Sequence, residues 1–200
     1  MNILIACEFS GIVRDAFRDK GHNAWSCDLE GVEPNGFWAN YHWYGDCRFL
    51  IKDAPYGYWD MMIAHPPCTY LSNSGSRWLY KSDGKKDLER WENMIKGAEF
   101  FKELLSAPIQ KICIENPIMH GYAKEIIGKR QDQLIQPWMF GHPEVKATCL
   151  WLKNLPLLHP TKIMEGRVPN IHWAAPGPNR GKERSITYKG IAEAMADQWG

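Results

Sequence analysis

Five short apolar runs dominate the first two thirds of the chain, and each is closed by a residue that carries chemistry. Ile3–Cys7 ends at Glu8-Phe9-Ser10-Gly11, Asn23–Leu29 at Asp28-Leu29, His42–Cys47 at Gly45-Asp46, Trp59–Ala64 at His65-Pro66-Pro67-Cys68, and Lys111–Ile114 at Glu115-Asn116-Pro117. Runs of this length without alternation read as strands buried on both faces, which occur in parallel sheets. Helical periodicity fills the gaps. Ile12–Lys20 has apolar residues at 12, 13, 16 and 17 and meets Gly21, and 87–105 has them at 88, 91, 94, 95, 98, 101, 104 and 105 before Pro108. A glycine or proline just past the last periodic residue is a stop signal. Strand–helix alternation predicts an α/β fold, an open, mostly parallel sheet with helices on both faces. The strand ends of such a sheet form one rim where ligands bind, so Glu8, Ser10, Gly11, Asp28, Asp46, Cys68, Glu115 and Asn116 are expected to face one another there. Each also has a plain alternative: Asp28 and Asp46 as turn or cap residues, Glu115-Asn116 as a solvated strand exit, Cys68 as a buried structural thiol.

Past Tyr122–Lys129, a short expected helix, the pattern changes. Leu134–Phe140 and Ala147–Leu152 read as an antiparallel strand pair around Gly141-His142-Pro143, 153–184 as a loop rich in Pro, Gly, Asn and basic residues, and Ile191–Trp199 as a closing helix. A length of 200 residues suits a single domain. The net charge of +1 announces no general attraction to nucleic acid. Ten tryptophans are read mainly as packing, with base stacking as the alternative. The six cysteines, at 7, 27, 47, 68, 113 and 149, form no C-x-x-C pair, which argues against a zinc ribbon or a dithiol motif. Reduced thiols in apolar runs point to a reducing cytoplasm, and the N-terminus lacks the basic and apolar regions of a signal peptide. His65, Cys68 and His120 or His142 form only a weak zinc set, because Pro66-Pro67 intervene.

The constellation with most chemical content is Cys68 with Glu115. A thiolate can add to C6 of a pyrimidine and make C5 a carbon nucleophile, while a carboxyl group serves the ring nitrogen N3. Pro66 and Pro67 stiffen the backbone that holds Cys68. Arg77 and Lys146 are candidate cations for the thiolate or a phosphate. Gly11 at a strand–helix turn, with Asp28 and Asp46, suggests an adenosine-containing cofactor, although G-x-G-x-x-G is absent.

These stretches carry a family resemblance. Pro67-Cys68-Thr69-Tyr70-Leu71-Ser72-Asn73-Ser74-Gly75 resembles the P-C-x-x-x-S-x-x-G loop of DNA cytosine-5 methyltransferases, and Glu115-Asn116-Pro117 resembles their E-N-V motif. Phe9-Ser10-Gly11-Ile12 with Ala16-Phe17 resembles their first motif, and Ile191–Met195 their final helix. The form is similar to short versions found in phages and prophages. The resemblance implies a Rossmann-like S-adenosylmethionine-dependent methyltransferase fold. It implies Cys68 as nucleophile, Glu115 as N3 partner and Asn116 as the residue that positions the Cys loop. It implies Glu8, Phe9, Ser10, Gly11, Asp28, Leu29, Asp46 and Pro66 at S-adenosylmethionine, and Ser72, Arg77, Lys146 and Thr148 at the DNA. Departures are Val13 for the second glycine of the first motif, Pro117 in E-N-P, and Lys146 and Thr148 for the arginines of a Q-x-R-x-R strand. The segment 153–184 is too short for the large target-recognition domain. Its Arg167, Arg180, Lys182 and Arg184 are candidates for phosphate contacts, and a second subunit would be one source of target recognition. Two further readings stay open: modification of free pyrimidine nucleotides at C5, and an inert DNA-binding or accessory protein of the same fold.

Overall fold

The structure is a computed structural model that describes residues 1–31, 39–170 and 180–200, the side chains of Ala39 and Arg180 excepted. The elements run β1 (Asn2–Ala6), α1 (Ile12–Asp19), β2 (Asn23–Asp28), β3 (His42–Tyr44), α2 (Cys47–Asp53), β4 (Met61–Ala64), a 3-10 segment (Asn73–Leu79), α3 (Leu88–Leu105), β5 (Lys111–Pro117), α4 (Gly121–Ile127), β6 (Gln133–Ile135), β7 (Thr148–Lys153), α5 (Arg180–Ser185) and α6 (Lys189–Trp199). Among the described residues, seven strands form one sheet in the order β3-β2-β1-β4-β5-β7-β6, parallel except for β7, which pairs antiparallel with both β5 and β6. The expected open α/β sheet is present, of the Rossmann-like type with one reversed strand.

Alternation within the strands builds two cores. Ile3, Ile5, Met61, Ile63 and Cys113 face a layer made by Val13 and Phe17 of α1 and Ile191, Ala192 and Met195 of α6. Leu4, Ala6, Met62, Ala64, Ile112 and Ile114 face the other side, where Met94, Ala98 and Phe101 of α3 and Ala123 of α4 lie. Trp151 is fully buried, with Phe101 edge-on at 5.0 Å. Each such side chain removed from water is worth about 1.5–3 kcal/mol. The helix α3 begins where the Asp87 side chain accepts from Arg90 N at 3.1 Å, which satisfies one of the orphan amides of the first turn.

Four expectations differ from the fold. The strand expected over 134–140 is only Gln133–Ile135, because Pro137 has no N–H and opens a 3-10 turn instead. The chain then leaves the sheet, and β7 enters between β5 and β6. The strand expected to end at Ile114 continues to Pro117, since β7 pairs with it there: Glu115 opposite Leu150 and Asn116 opposite Cys149. The run expected over His42–Cys47 is a strand only to Tyr44, and Cys47 already begins the helix α2. The segment 153–184, read as loop, contains α5. Residues 32–38 and 171–179 lie outside the described residues, as does the side chain of Arg180, one of the candidates for phosphate contacts. No helix among the described residues is long and apolar enough to cross a membrane.

Candidate functional site

The carboxyl ends of β1, β2, β3 and β4 open on one cavity of about 1010 Å³. Its wall is built in chain order. Glu8, Phe9 and Ser10 follow β1; Asp28 and Leu29 end β2; Gly45 and Asp46 follow β3; His65 and Cys68 follow β4; Lys182 and Thr187 come from the C-terminal segment. Of the residues expected at the cofactor, Glu8, Phe9, Ser10, Asp28, Leu29 and Asp46 line this space, whereas Gly11 and Pro66 do not.

Local chemistry explains their positions. Glu8 is buried, and its carboxylate accepts from the backbone N–H of Val13 at 2.7 Å and of Arg14 at 3.3 Å. It thus closes the N-terminus of α1, where an anion is favoured. Burial pushes the Glu8 pKa up, against His65 and those amides. Ser10 Oγ donates to Glu8 Oε1 at 3.3 Å. Gly11 has φ 73, a conformation that disfavours side chains, and a Cβ there would strike the guanidinium of Arg14. That guanidinium is fully buried, donating to Asp15 Oδ1 at 2.7 Å and to Ser26 Oγ at 2.9 Å. Gly11 therefore makes room for a side chain of its own chain, rather than for a close ligand approach alone.

Asp28 accepts from Glu30 N at 2.9 Å through Oδ1, and burial raises its pKa. Asp46 caps α2, accepting from Arg48 N at 2.9 Å, and pairs with the Arg48 side chain, which holds it below the usual carboxylate range. Behind them, the Cys7, Cys27 and Cys47 thiols meet in the wall of the cavity. The neighbouring Cys27 and Cys7 thiols draw the Cys47 pKa down.

Sheet register assembles the reactive end. Ala64 pairs with Ile114, so the next residues along, His65 and Glu115, are neighbours, and so are Pro66 and Asn116. Glu115 Oε2 lies 3.2 Å from His65 Nδ1 and accepts from Thr187 Oγ1 at 3.3 Å. Burial alone would raise the Glu115 pKa, but the hydrogen bond and charge of His65 outweigh it and the net direction is down. Asn116 Nδ2 donates to Pro66 O at 2.9 Å. The same cross-strand step ties Asn116 to the root of the Cys68 loop. Cys68 begins a turn whose carbonyl accepts from Leu71 N at 3.0 Å and Ser72 N at 2.9 Å. Gly75 follows, where a Cβ would come within 2.8 Å of Thr69 O. Burial pushes the Cys68 thiol up, while Lys146 and Arg184 pull it down.

Lys146 is held by donation to Ile186 O at 3.1 Å, and burial lowers its pKa. The second cation near Cys68 is Arg184, where the sequence suggested Arg77. Arg77 is exposed, with its guanidinium 4.6 Å from the Trp78 ring. Thr148 is buried and donates to Lys146 O at 3.2 Å, so its hydroxyl is engaged with the backbone. Ser72 is buried, hydrogen-bonded to Ser74 at 3.1 Å. Of the loop cations, Arg167 stacks 3.6 Å from the Trp138 ring, and Lys182 lies 4.6 Å from the Phe9 ring. His120 caps α4 and His142 accepts from Gly190 N, which commits both to structure. The sequence reading missed His65 as a partner of Glu115, Arg184 as a neighbour of Cys68 rather than a phosphate contact, and Thr187 altogether. Only strand register and the return of the chain before α6 bring them here.

No family profile and no curated protein matches this sequence. Among solved structures, the chain is similar to a triple mutant (E260A/E261A/K263A) of DNMT2 from Spodoptera frugiperda, at 16% identity and TM-score 0.41, covering 84% of this chain and 57% of that one. It is also similar to the methyltransferase EhMeth of Entamoeba histolytica, at 16% identity and TM-score 0.44, covering 82% and 57%. WbdD gives 13% identity and TM-score 0.44 over 78% of this chain and 36% of that one. The chain spans from about a third to under two thirds of the length of these proteins.

Proposed function

We propose that this chain transfers a methyl group from S-adenosylmethionine to C5 of cytosine in DNA, through a covalent bond between Cys68 and C6. The observation that carries the reading is one constellation. Cys68 stands past β4 and Glu115 near the end of β5, their backbones tied by the bond from Asn116 to Pro66 O, beside a cavity of about 1010 Å³ that runs to Asp28. The cavity suits a nucleoside-sized cofactor. Asp28 offers a carboxylate at the end of β2, where a ribose diol is commonly held, and Phe9 and Leu29 offer apolar surface for a base. S-adenosylmethionine, when bound, supplies the methyl group as an electrophile.

The protein's own residues do the rest. Burial holds the Cys68 thiol above its ordinary range, and the positive charges of Lys146 and Arg184 offset part of that cost for the thiolate. The thiolate bonds to C6, and the C5=C6 electron pair becomes available at C5 with charge delocalised to N3. Glu115 hydrogen-bonds N3 there. After C5 has taken the methyl group, its proton leaves, the C6–S bond breaks, and the thiolate returns. A cytosine stacked in a duplex is out of reach, so the substrate is a flipped or single-stranded base. Lys182, which lines the cavity and pairs with Glu30 at 3.6 Å, and Arg184 of the same helix suit a nearby phosphate. The test is transfer of label from tritiated S-adenosylmethionine to duplex DNA, single-stranded DNA and free dCMP. The reading expects label in cytosine of one of the DNAs and little in dCMP. Label confined to dCMP would make the protein a nucleotide modifier, and cofactor binding without transfer to any of them would make it an inert relative.

A further inference from the structure

One buried base stands against the carboxylate that serves the pyrimidine ring, and no step above uses it. His65 lines the cavity with its side chain 11% exposed, its Nδ1 on Glu115 Oε2 at 3.2 Å. Its Nε2 is buried without a hydrogen-bond partner among the described residues. The groups facing it are Glu115 from β5, Glu8 from the turn after β1 and Lys146 from the segment before β7. Burial favours neutral imidazole, but the Glu115 hydrogen bond and the two negative charges outweigh it, so the ring holds its proton more tightly than usual. Glu115 correspondingly gives its proton up more easily. Between about pH 4.5 and 6.5 these directions make the pair an imidazolium beside a carboxylate. That poses a chemical problem, because a carboxylate only accepts hydrogen bonds. N3 needs a donor as C6 is attacked. Among the described residues, the hydrogen bonds of the Glu115 side chain go to Oε2, through His65 and Thr187.

We propose that His65 is the proton store for this site: its Nδ1 proton passes to Oε2 of Glu115, and the carboxyl group, turning about its Cγ–Cδ bond, delivers that proton to N3 as the Cys68–C6 bond forms. The inference rests on the cytosine C5 reading above. The steps balance. Sulfur supplies the pair for the new C–S bond, the ring pair moves toward N3, and N3 takes the proton while His65 becomes neutral. When the C5 proton departs to water and the C–S bond breaks, N3 returns its proton through Glu115 to His65. The pair gains and loses no proton over a turnover. Because His65 acts through Glu115, it is a positioning residue for the proton, not a catalytic residue.

Two measurements test this, neither needing a methyl donor. The first is an NMR titration of the His65 ring in the free wild-type protein and in Glu115→Gln. The expected result is a ring still charged above its ordinary pH range in wild type, and a midpoint that falls in the variant. A ring neutral at pH 7 in wild type, or a midpoint unmoved by the substitution, overturns the proposal. The second is release of tritium from C5 of [5-3H]cytosine DNA into water across pH 5.5–8.5, for wild type and His65→Gln. Loss of general acid assistance slows such steps roughly 10²-fold or more, and the falling limb at high pH should move to lower pH in the variant. A His65→Gln profile that superimposes on wild type overturns the relay alone. Wild-type protein with the coupled titration but no exchange at any pH overturns the cytosine C5 reading, and the delivery to N3 with it.

Discussion

Replacing Asn116 by aspartate should be the most damaging isosteric change in the protein, and the reason is local. Asn116 Nδ2 donates to Pro66 O at 2.9 Å in a buried position, while Asn116 Oδ1 is buried with no partner among the described residues. Asn116→Ala removes the donor and leaves a buried carbonyl unsatisfied, at about 1–3 kcal/mol. It also deletes the orphan Oδ1, which places the expected loss toward the lower part of that range. Asn116→Asp keeps the shape but sets a carboxylate oxygen against the Pro66 carbonyl and adds a buried charge next to Glu115. An uncompensated buried charge costs on the order of 3–5 kcal/mol. Desolvation raises the pKa of such an aspartate in the folded state. Its destabilisation is therefore full at high pH and relieved as pH falls through the raised value, where the protonated group can donate to Pro66 O. Urea unfolding of both variants at pH 5 and pH 8 measures this. The expectation is Asn116→Asp less stable than Asn116→Ala at pH 8, with the gap closing toward pH 5. An aspartate variant as stable as wild type at pH 8, or a gap independent of pH, would refute the cross-strand account of the Cys loop.

Three further outcomes follow from the same geometry. In the His65–Glu115 pair, His65 is raised, so its contribution is full below about pH 6.5 and lost as pH rises through its folded value; Glu115 is lowered, so its contribution is full above about pH 4.5 and lost as pH falls. His65→Gln should thus be most destabilising between about pH 4.5 and 6.5, a window that stability curves at several pH values would reveal. Gly11→Ala puts a Cβ at φ 73 against the Arg14 guanidinium; about 1–3 kcal/mol is expected, or roughly 2–4 °C in Tm for each kcal/mol, and an unchanged Tm contradicts it. Asp46→Ala removes the cap of α2 at about 0.5–2 kcal/mol, whereas Arg48→Ala, whose side chain is half exposed, should cost under about 1 kcal/mol; calorimetry that finds the reverse order assigns Asp46 another role.

What the sequence revealed follows from which interactions are local. Strands β1, β2, β4 and β5 and helices α1, α3 and α6 were visible because their apolar spacing is set by burial along a single element. The helix α2 was missed although Cys47, Leu50 and Ile51 have helical spacing, because Gly45-Asp46 reads equally as a strand exit and as a cap. The run after Leu134 was extended too far because apolar character outweighed Pro137. At the site, residues after each strand could be placed on one rim from topology alone. Their pairing could not. His65 meets Glu115 only because Ala64 pairs with Ile114, and register is written in no single stretch of chain. Arg184 and Thr187 enter from beyond position 180, a choice made by packing between distant segments, while Arg77 stacks on its sequence neighbour Trp78.

The central claim is that Cys68 forms a bond to C6 of cytosine in DNA. Its most direct test is incubation with S-adenosylmethionine and an oligonucleotide containing 5-fluorocytosine, which lacks the C5 proton whose loss would free the enzyme, followed by mass spectrometry of the digested complex. The account predicts a denaturation-resistant adduct on the peptide carrying Cys68, absent in Cys68→Ser. An adduct mapped to another cysteine, or methyl transfer to cytosine that persists in Cys68→Ser, would contradict it.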